Sequence, residues 1–298
     1  MTPLKAAAAA LQAELEAWLE ELQASGSWGP TAPPVVPDEW DERAFRLEDS
    51  GGTLAARPPD GWAPCGYCHG SDDGRRLAER DHPTLGYRHV VSVPCHCGPM
   101  LLRRDRLRQA GIPARFKGRG GDFAWDGYSD SATIRAAIEA LVGRAKWPPR
   151  RGVLLYGPPG TGKSTLAGWV AILAALRHAA TVAWLDWPDF CEAMSAEKSL
   201  PREVSARLRA VDLLVVDEYG GQRDTEFRRE VFDRTVGARF EDGRPCVMTT
   251  NLDPRPQRAL LGEDDPLDLK GRLGERAYSR LRGACDCVLV DGPDRRER

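Results

Sequence analysis

A chain of 298 residues, 29% charged and 42% hydrophobic, has the make-up of an ordinary globular protein with room for one sizeable core and a smaller module. A formal net charge of −2 excludes bulk attraction to nucleic acid, so any such contact must use local basic patches. No run reaches the roughly eighteen apolar residues of a membrane helix, and eight cysteines, six of them in tight pairs, without a secretion signal point to metal binding in a cytoplasmic protein.

Residues 1–24 read as an amphipathic helix, because Leu4, Ala8, Leu11, Leu15, Trp18 and Leu22 alternate spacings of four and three along one face. Glu14, Glu16, Glu20 and Glu21 exclude a secretory leader. The stripe suits packing on its own domain or docking on a partner. Residues 25–60 are rich in Pro, Gly and acidic residues and keep no period, so they read as a linker.

Residues 61–100 read as a zinc-binding module. Cys65-x₂-Cys68, 26 residues, then Cys95-x-Cys97 supply four thiolates, the ligand set of a closed tetrahedral and therefore structural Zn²⁺ site. His82, His89 or His96 could each replace one of them. Such ligation contributes on the order of 10 kcal/mol to folding a segment too small for its own core. Residues 101–125 follow as a basic helix and its sequel. Over residues 101–120, Arg103, Arg104, Arg106, Arg108, Arg115, Lys117 and Arg119 face only Asp105, as a solvated face or a nucleic-acid contact, and Pro113 ends the helix.

From 126 to 298 short apolar runs alternate with helical stretches. "GVLLYG", "TVAWLD", "DLLVVDE", "CVMTTN" and "DCVLVD" predict an α/β domain with a five-stranded parallel sheet covered on both faces. After the first run, Gly157, Pro158, Pro159, Gly160, Thr161, Gly162, Lys163, Ser164 and Thr165 form a phosphate loop leading into a helix. Its glycines let backbone N–H groups curl around phosphate oxygens at the positive helix end. Lys163 is expected to reach the β- and γ-phosphates and Ser164 to ligate Mg²⁺.

Three features favour a hydrolase over a small-molecule kinase. "VDLLVVDEYG" ends in Asp217, suited to the magnesium shell, and Glu218, suited to polarising a water. Asn251, at the tip of the next strand, could hold that water. Arg276 and Arg280 lie four apart on one helix face, where either could reach a neighbouring subunit's γ-phosphate.

Together these residues resemble the AAA+ ATPases, and within them the DnaC/DnaI/IstB group, over about residues 110–291. "IPARFKGRGGDF" is similar to the segment that passes near the adenine, and "VGARFEDGRPCVMTTNL" and "GERAYSRL" to later blocks. The resemblance implies an AAA+ core binding ATP and Mg²⁺. Gly162, Lys163 and Ser164 act as Walker A, Asp217 and Glu218 as Walker B, Asn251 as sensor 1, and Arg280, then Arg276, as the trans arginine finger. Only "GPDRRER" follows the last predicted strand, so no helical lid is expected, and a neighbouring subunit is expected to supply the missing wall.

The resemblance and the cysteines imply a helicase loader. It would bind a replicative DNA helicase through its N-terminal module, self-associate through the AAA+ domain and act on single-stranded DNA. The alternatives are an IstB-like ATPase assisting transposition and a nucleotide-gated adaptor with little hydrolysis. Weak ATPase activity is expected of the isolated chain.

Overall fold

The computed structural model describes residues 46–57, 75–81, 88–94, 98–116, 125, 127–143, 147–197, 200–221, 225–255 and 269–296. The predicted N-terminal helix, Lys117, Arg119 and the four candidate zinc ligands lie outside these residues. Among the described residues no helix is long and apolar enough to cross a membrane.

Five parallel strands carry the fold: β5 (Gly152–Tyr156), β6 (Val182–Asp186), β7 (Leu213–Tyr219), β8 (Cys246–Thr250) and β9 (Cys285–Leu289). They are ordered β6-β7-β8-β5-β9, which sets the first strand of the domain between the fourth and the fifth. All five predicted runs are therefore strands. Their continuous apolarity follows from burial on both faces. Leu213 and Val215 enter one hydrophobic cluster while Leu214 and Val216 enter the other.

The first cluster is closed by three helices: α1 (Gly98–Gln109), α2 (Ser131–Val142) and α3 (Lys163–His178). Helix α3 is buried nearly all round, from Leu166 to Leu176, because it lies against the sheet under α1 and α2. The second cluster is closed by α4 (Trp187–Glu197), α5 (Arg202–Ala210), α6 (Glu226–Phe232), α7 (Ala238–Glu241), α8 (Leu269–Leu273) and α9 (Glu275–Ala284). A π-helical turn, Asp233–Gly237, joins α6 to α7. Arg239 is fully buried in this layer, donating to the carbonyls of Leu208, Arg209, Val211, Asp212 and Pro245. It thereby satisfies carbonyls around the α5 terminus and the start of β7, which would otherwise be buried without partners.

The segment read as linker is partly structured. Strands β1 (Arg46–Ser50) and β2 (Thr53–Arg57) form an antiparallel hairpin, and Leu54 is fully buried against the first cluster. The amide of Leu54 donates to Ile112 and that of Ala114 to the Gly52 carbonyl, at 2.8 and 2.9 Å. The hairpin shows little periodic signal because its strands are only five residues long and its one fully buried residue, Leu54, packs against later parts of the chain. A second hairpin, β3 (Arg75–Asp81) with β4 (Arg88–Pro94), occupies part of the predicted zinc module.

Beyond α1, a short 3₁₀ turn, Ala114–Phe116, leads to the sheet edge. Phe116 packs on Trp184 with ring centroids 5.1 Å apart, and a Cβ on Gly168 would stand 2.7 Å from the Phe116 ring. Gly168 thus lets the turn seat directly on α3.

Candidate nucleotide-binding site

The functional residues gather where the strands end at their carboxyl edge, the usual ligand crevice of an open α/β sheet. The phosphate loop follows β5, Asp217 and Glu218 end β7, and Asn251 follows β8. A cleft of about 690 Å³ is lined by Pro159, Gly160, Gly162, Lys163, Ser164, Thr165, Glu218, Thr249, Thr250 and Asn251.

Gly162 caps α3 at φ 94°, in the left-handed region open to glycine, and turns the loop into the helix. Lys163, the first helical residue, is only 7% exposed and donates Nζ to the carbonyls of Gly157 at 2.9 Å and Pro158 at 2.5 Å. Burial, reinforced by the nearby Arg296 charge, brings its pKa down to about 8, while Asp217 and Glu218 act in the opposite sense. An ammonium held among loop carbonyls and partly desolvated is poised for an anion.

Asp217 is completely buried. Its Oδ1 accepts the Thr249 hydroxyl at 2.6 Å, and its Oδ2 meets the Arg115 guanidinium at 3.3 Å. The same Thr249 oxygen accepts the Glu218 amide at 2.9 Å. Glu218 sits at φ 60°, where the β7–β8 register shifts, and its side chain is exposed in the cleft. Across the sheet, Asp186 pairs in register with Asp217, and burial raises its pKa. The donor set fits Mg²⁺. A buried carboxylate already faces one cation, and the Ser164 hydroxyl lines the same cleft.

Several lining residues were not singled out for this site in the sequence. Thr249 carries no motif of its own, and only its place beside Asp217 reveals it. Arg115, counted in the basic run as a solvated face or a nucleic-acid contact and also part of the segment expected near the adenine, lies in this cleft beside Phe116. The tail after β9 also contributes to the lining of this cleft. The Arg295 amide donates to Gly160 at 3.0 Å, its guanidinium lies 3.7 Å from the Tyr128 ring centroid, and Arg295 and Arg296 both line the cleft. Gly160 sits at φ 79°, in the left-handed region open to glycine, and its bare Cα leaves room for the Asp294 carboxyl.

Arg276 and Arg280 lie on α9 and line no part of this cleft. Arg280 is ion-paired with Glu241, and Arg276 is exposed. Cys285 and Cys246 are buried packing residues, and burial raises both thiol pKa values. In the basic helix, Arg104 and Arg108 pair with Asp105, whereas Arg106 shares a small groove with Gln109, Thr181 and Arg207.

A phosphate loop at the edge of a 5-1-4-3-2 parallel sheet, with paired carboxylates one strand removed, defines a P-loop nucleotide-binding protein of the AAA+ class. The sequence profile of the IstB-like ATP binding protein family matches residues 123–272, and the chain belongs to that family. The replicative helicase loader DnaC of Escherichia coli K12 is 32% identical over 118 residues, covering 37% of this chain and 46% of the loader. Its counterpart in Buchnera aphidicola from Acyrthosiphon pisum is 30% identical over 115 residues with the same coverage. The chain thus spans less than half the length of these curated relatives. Solved structures that align with part of the chain include the DnaC helicase loader (TM-score 0.43, 22% identity, 54% of this chain and 88% of that one) and DnaI (TM-score 0.46, 21% identity, 58% and 88%).

Proposed function

We propose that this chain is an ATP-dependent loader that places a replicative DNA helicase on single-stranded DNA. The observation that carries its ATPase half is the convergence of Lys163, Glu218 and Asn251 on one cleft, with the buried Asp217 bonded to two of its lining residues, Thr249 and Arg115. Relatives named as replicative helicase loaders support the other half.

In this reading the loop amides and Lys163 bind the β- and γ-phosphates of ATP. Ser164 and Asp217 would hold Mg²⁺, which when bound neutralises phosphate charge. Glu218 polarises the attacking water and Asn251 orients it against the γ-phosphate. Arg280, or Arg276 in its place, completes the site of an adjoining subunit. Arg106 and Arg207, which share a groove, offer a footing for the phosphates of single-stranded DNA. Residues 1–100 form the helicase-binding part, with Zn²⁺ held by Cys65, Cys68, Cys95 and Cys97. The antiparallel pairing of Arg75 with Pro94 supports the zinc reading, because it brings the start of β3 and the end of β4 to one end of a hairpin flanked by the two cysteine pairs.

The full chain, mixed with the replicative helicase of its own source, should form a complex, and ATP should drive transfer of that helicase onto single-stranded DNA. Capture of a transposase in place of the helicase would favour the transposition reading, to which the IstB-like family profile also points. Transfer that persists in Glu218→Gln would favour the adaptor. Metal analysis of the chain and of Cys68→Ser tests the zinc site: the first should carry one zinc per chain, and the second should lose it.

A further inference from the structure

Arg115 stands apart from the residues that the phosphate-loop pattern specifies. It belongs to the turn Ala114–Phe116, which precedes the ATPase sheet in sequence, yet its guanidinium reaches the fully buried Asp217 across 102 positions. Its backbone is held on both sides, by the Ala114 amide on Gly52 and by the Phe116 ring on Gly168 and Trp184. Its side chain is 53% exposed, lies 5.0 Å from the Phe116 ring centroid, and lines the same cleft as Lys163 and Ser164. An anchored backbone with an open head group is the arrangement of a cation that can change partner by rotating its side chain.

We infer that Arg115 is a nucleotide-site cation with two partners, Asp217 and the terminal phosphate of a nucleoside triphosphate, and that binding of the triphosphate moves it from the first to the second. This rests on the ATP reading of the cleft. Two carboxylates, Asp186 and Asp217, end neighbouring strands here, and a triphosphate brings several further negative charges. A buried carboxylate facing those charges without a counter-cation would repel them at close range. Arg115 supplies that counter-charge until the metal-bound nucleotide brings its own. The guanidinium is then free for phosphate oxygens in the same cleft, to which its planar donor fork is well matched. Because the turn is hydrogen-bonded to the β1–β2 hairpin, the occupant of the cleft and the position of that hairpin share one element.

The test uses fluorescent ATP and ADP analogues on the full chain, each titrated with Mg²⁺ and with a chelator in its place. For Arg115→Ala, removal of Mg²⁺ should weaken ATP binding about tenfold more than it does in the unaltered chain, because Asp217 is left bare. With Mg²⁺ present, its ATP affinity should fall about tenfold while its ADP affinity holds, since only the terminal phosphate loses a partner. Arg115→Lys should recover part of both effects. In an Asp217→Asn background, Arg115→Ala should no longer alter the Mg²⁺ dependence. Arg115→Gln keeps much of the stem against Phe116 and serves where the alanine variant folds poorly. If either the Mg²⁺ dependence or the ATP-to-ADP ratio of both neutral variants matches that of the unaltered chain, the inference is overturned. Failure of the unaltered chain to bind nucleotide would remove the ATP reading and this inference together.

Discussion

Thr249 donates its hydroxyl to Asp217 at 2.6 Å and accepts the amide of Glu218 at 2.9 Å, so one side chain on β8 fixes two successive residues of β7. Thr249→Val keeps the shape and removes both bonds. A buried carboxylate oxygen and a backbone N–H would then lack partners, at a cost of about 1–3 kcal/mol in urea unfolding. ATP hydrolysis should fall further than ATP binding, because the loop and Lys163 are untouched while both carboxylates lose their bearing. Loss of binding and hydrolysis in equal measure would show that Thr249 serves only the fold.

Lys163 gives the site a pH dependence. Its folded pKa, near 8, lies below the ordinary lysine value, so the unfolded chain holds the proton more tightly. Stability of the empty protein should therefore rise with pH between about 8 and the unfolded lysine value of roughly 10.4. A bound phosphate favours the charged form. Above pH 8, ATP binding should take up a proton, and affinity should decline as pH rises. Calorimetry in buffers of differing ionisation enthalpy reads this uptake. Lys163→Met should abolish it, and Arg296→Ala should shift its onset upward by removing a repelling charge.

Glu218 occupies the left-handed region at φ 60°, where a residue with a Cβ costs roughly 1–2 kcal/mol. Glu218→Gly should accordingly be about 1 kcal/mol more stable than Glu218→Ala in chemical denaturation. Both variants should bind ATP and hydrolyse it far more slowly than the unaltered chain. An alanine variant as stable as the glycine one would show that the backbone relaxes without strain.

The two arginines of α9 differ in what holds them. Arg280 is tied to Glu241, whereas Arg276 is exposed, and neither lines the cleft of its own chain. If Arg280 acts on a neighbouring subunit, Arg280→Ala should leave ATP binding intact and reduce DNA-stimulated hydrolysis by roughly 10³–10⁵ at full engagement. Mixing it with Lys163→Ala should restore some turnover, since one variant brings an intact cleft and the other an intact arginine. Turnover of Arg280→Ala at the unaltered rate would transfer the role to Arg276.

The amino-acid sequence determined the phosphate loop, all five strands and the placement of Asp217, Glu218 and Asn251 at strand ends. These features are local: a strand buried on both faces reads as an apolar run, and a phosphate loop must place its glycines and lysine at fixed spacing. The hairpin Arg46–Arg57 was hidden in a segment rich in Pro and Gly, because its strands are short and their contacts with Ile112 and Ala114 leave no local period. Thr249 and the arginines of the tail joined the cleft only through the tertiary structure, which also set Arg115, from the segment expected near the adenine, against Asp217. Arg115 is 102 positions from Asp217, Thr249 is 32, and the tail meets the loop because β9 pairs beside β5. No local period encodes such meetings. They arise from the strand order, which brings the ends of distant segments to a single edge of the sheet.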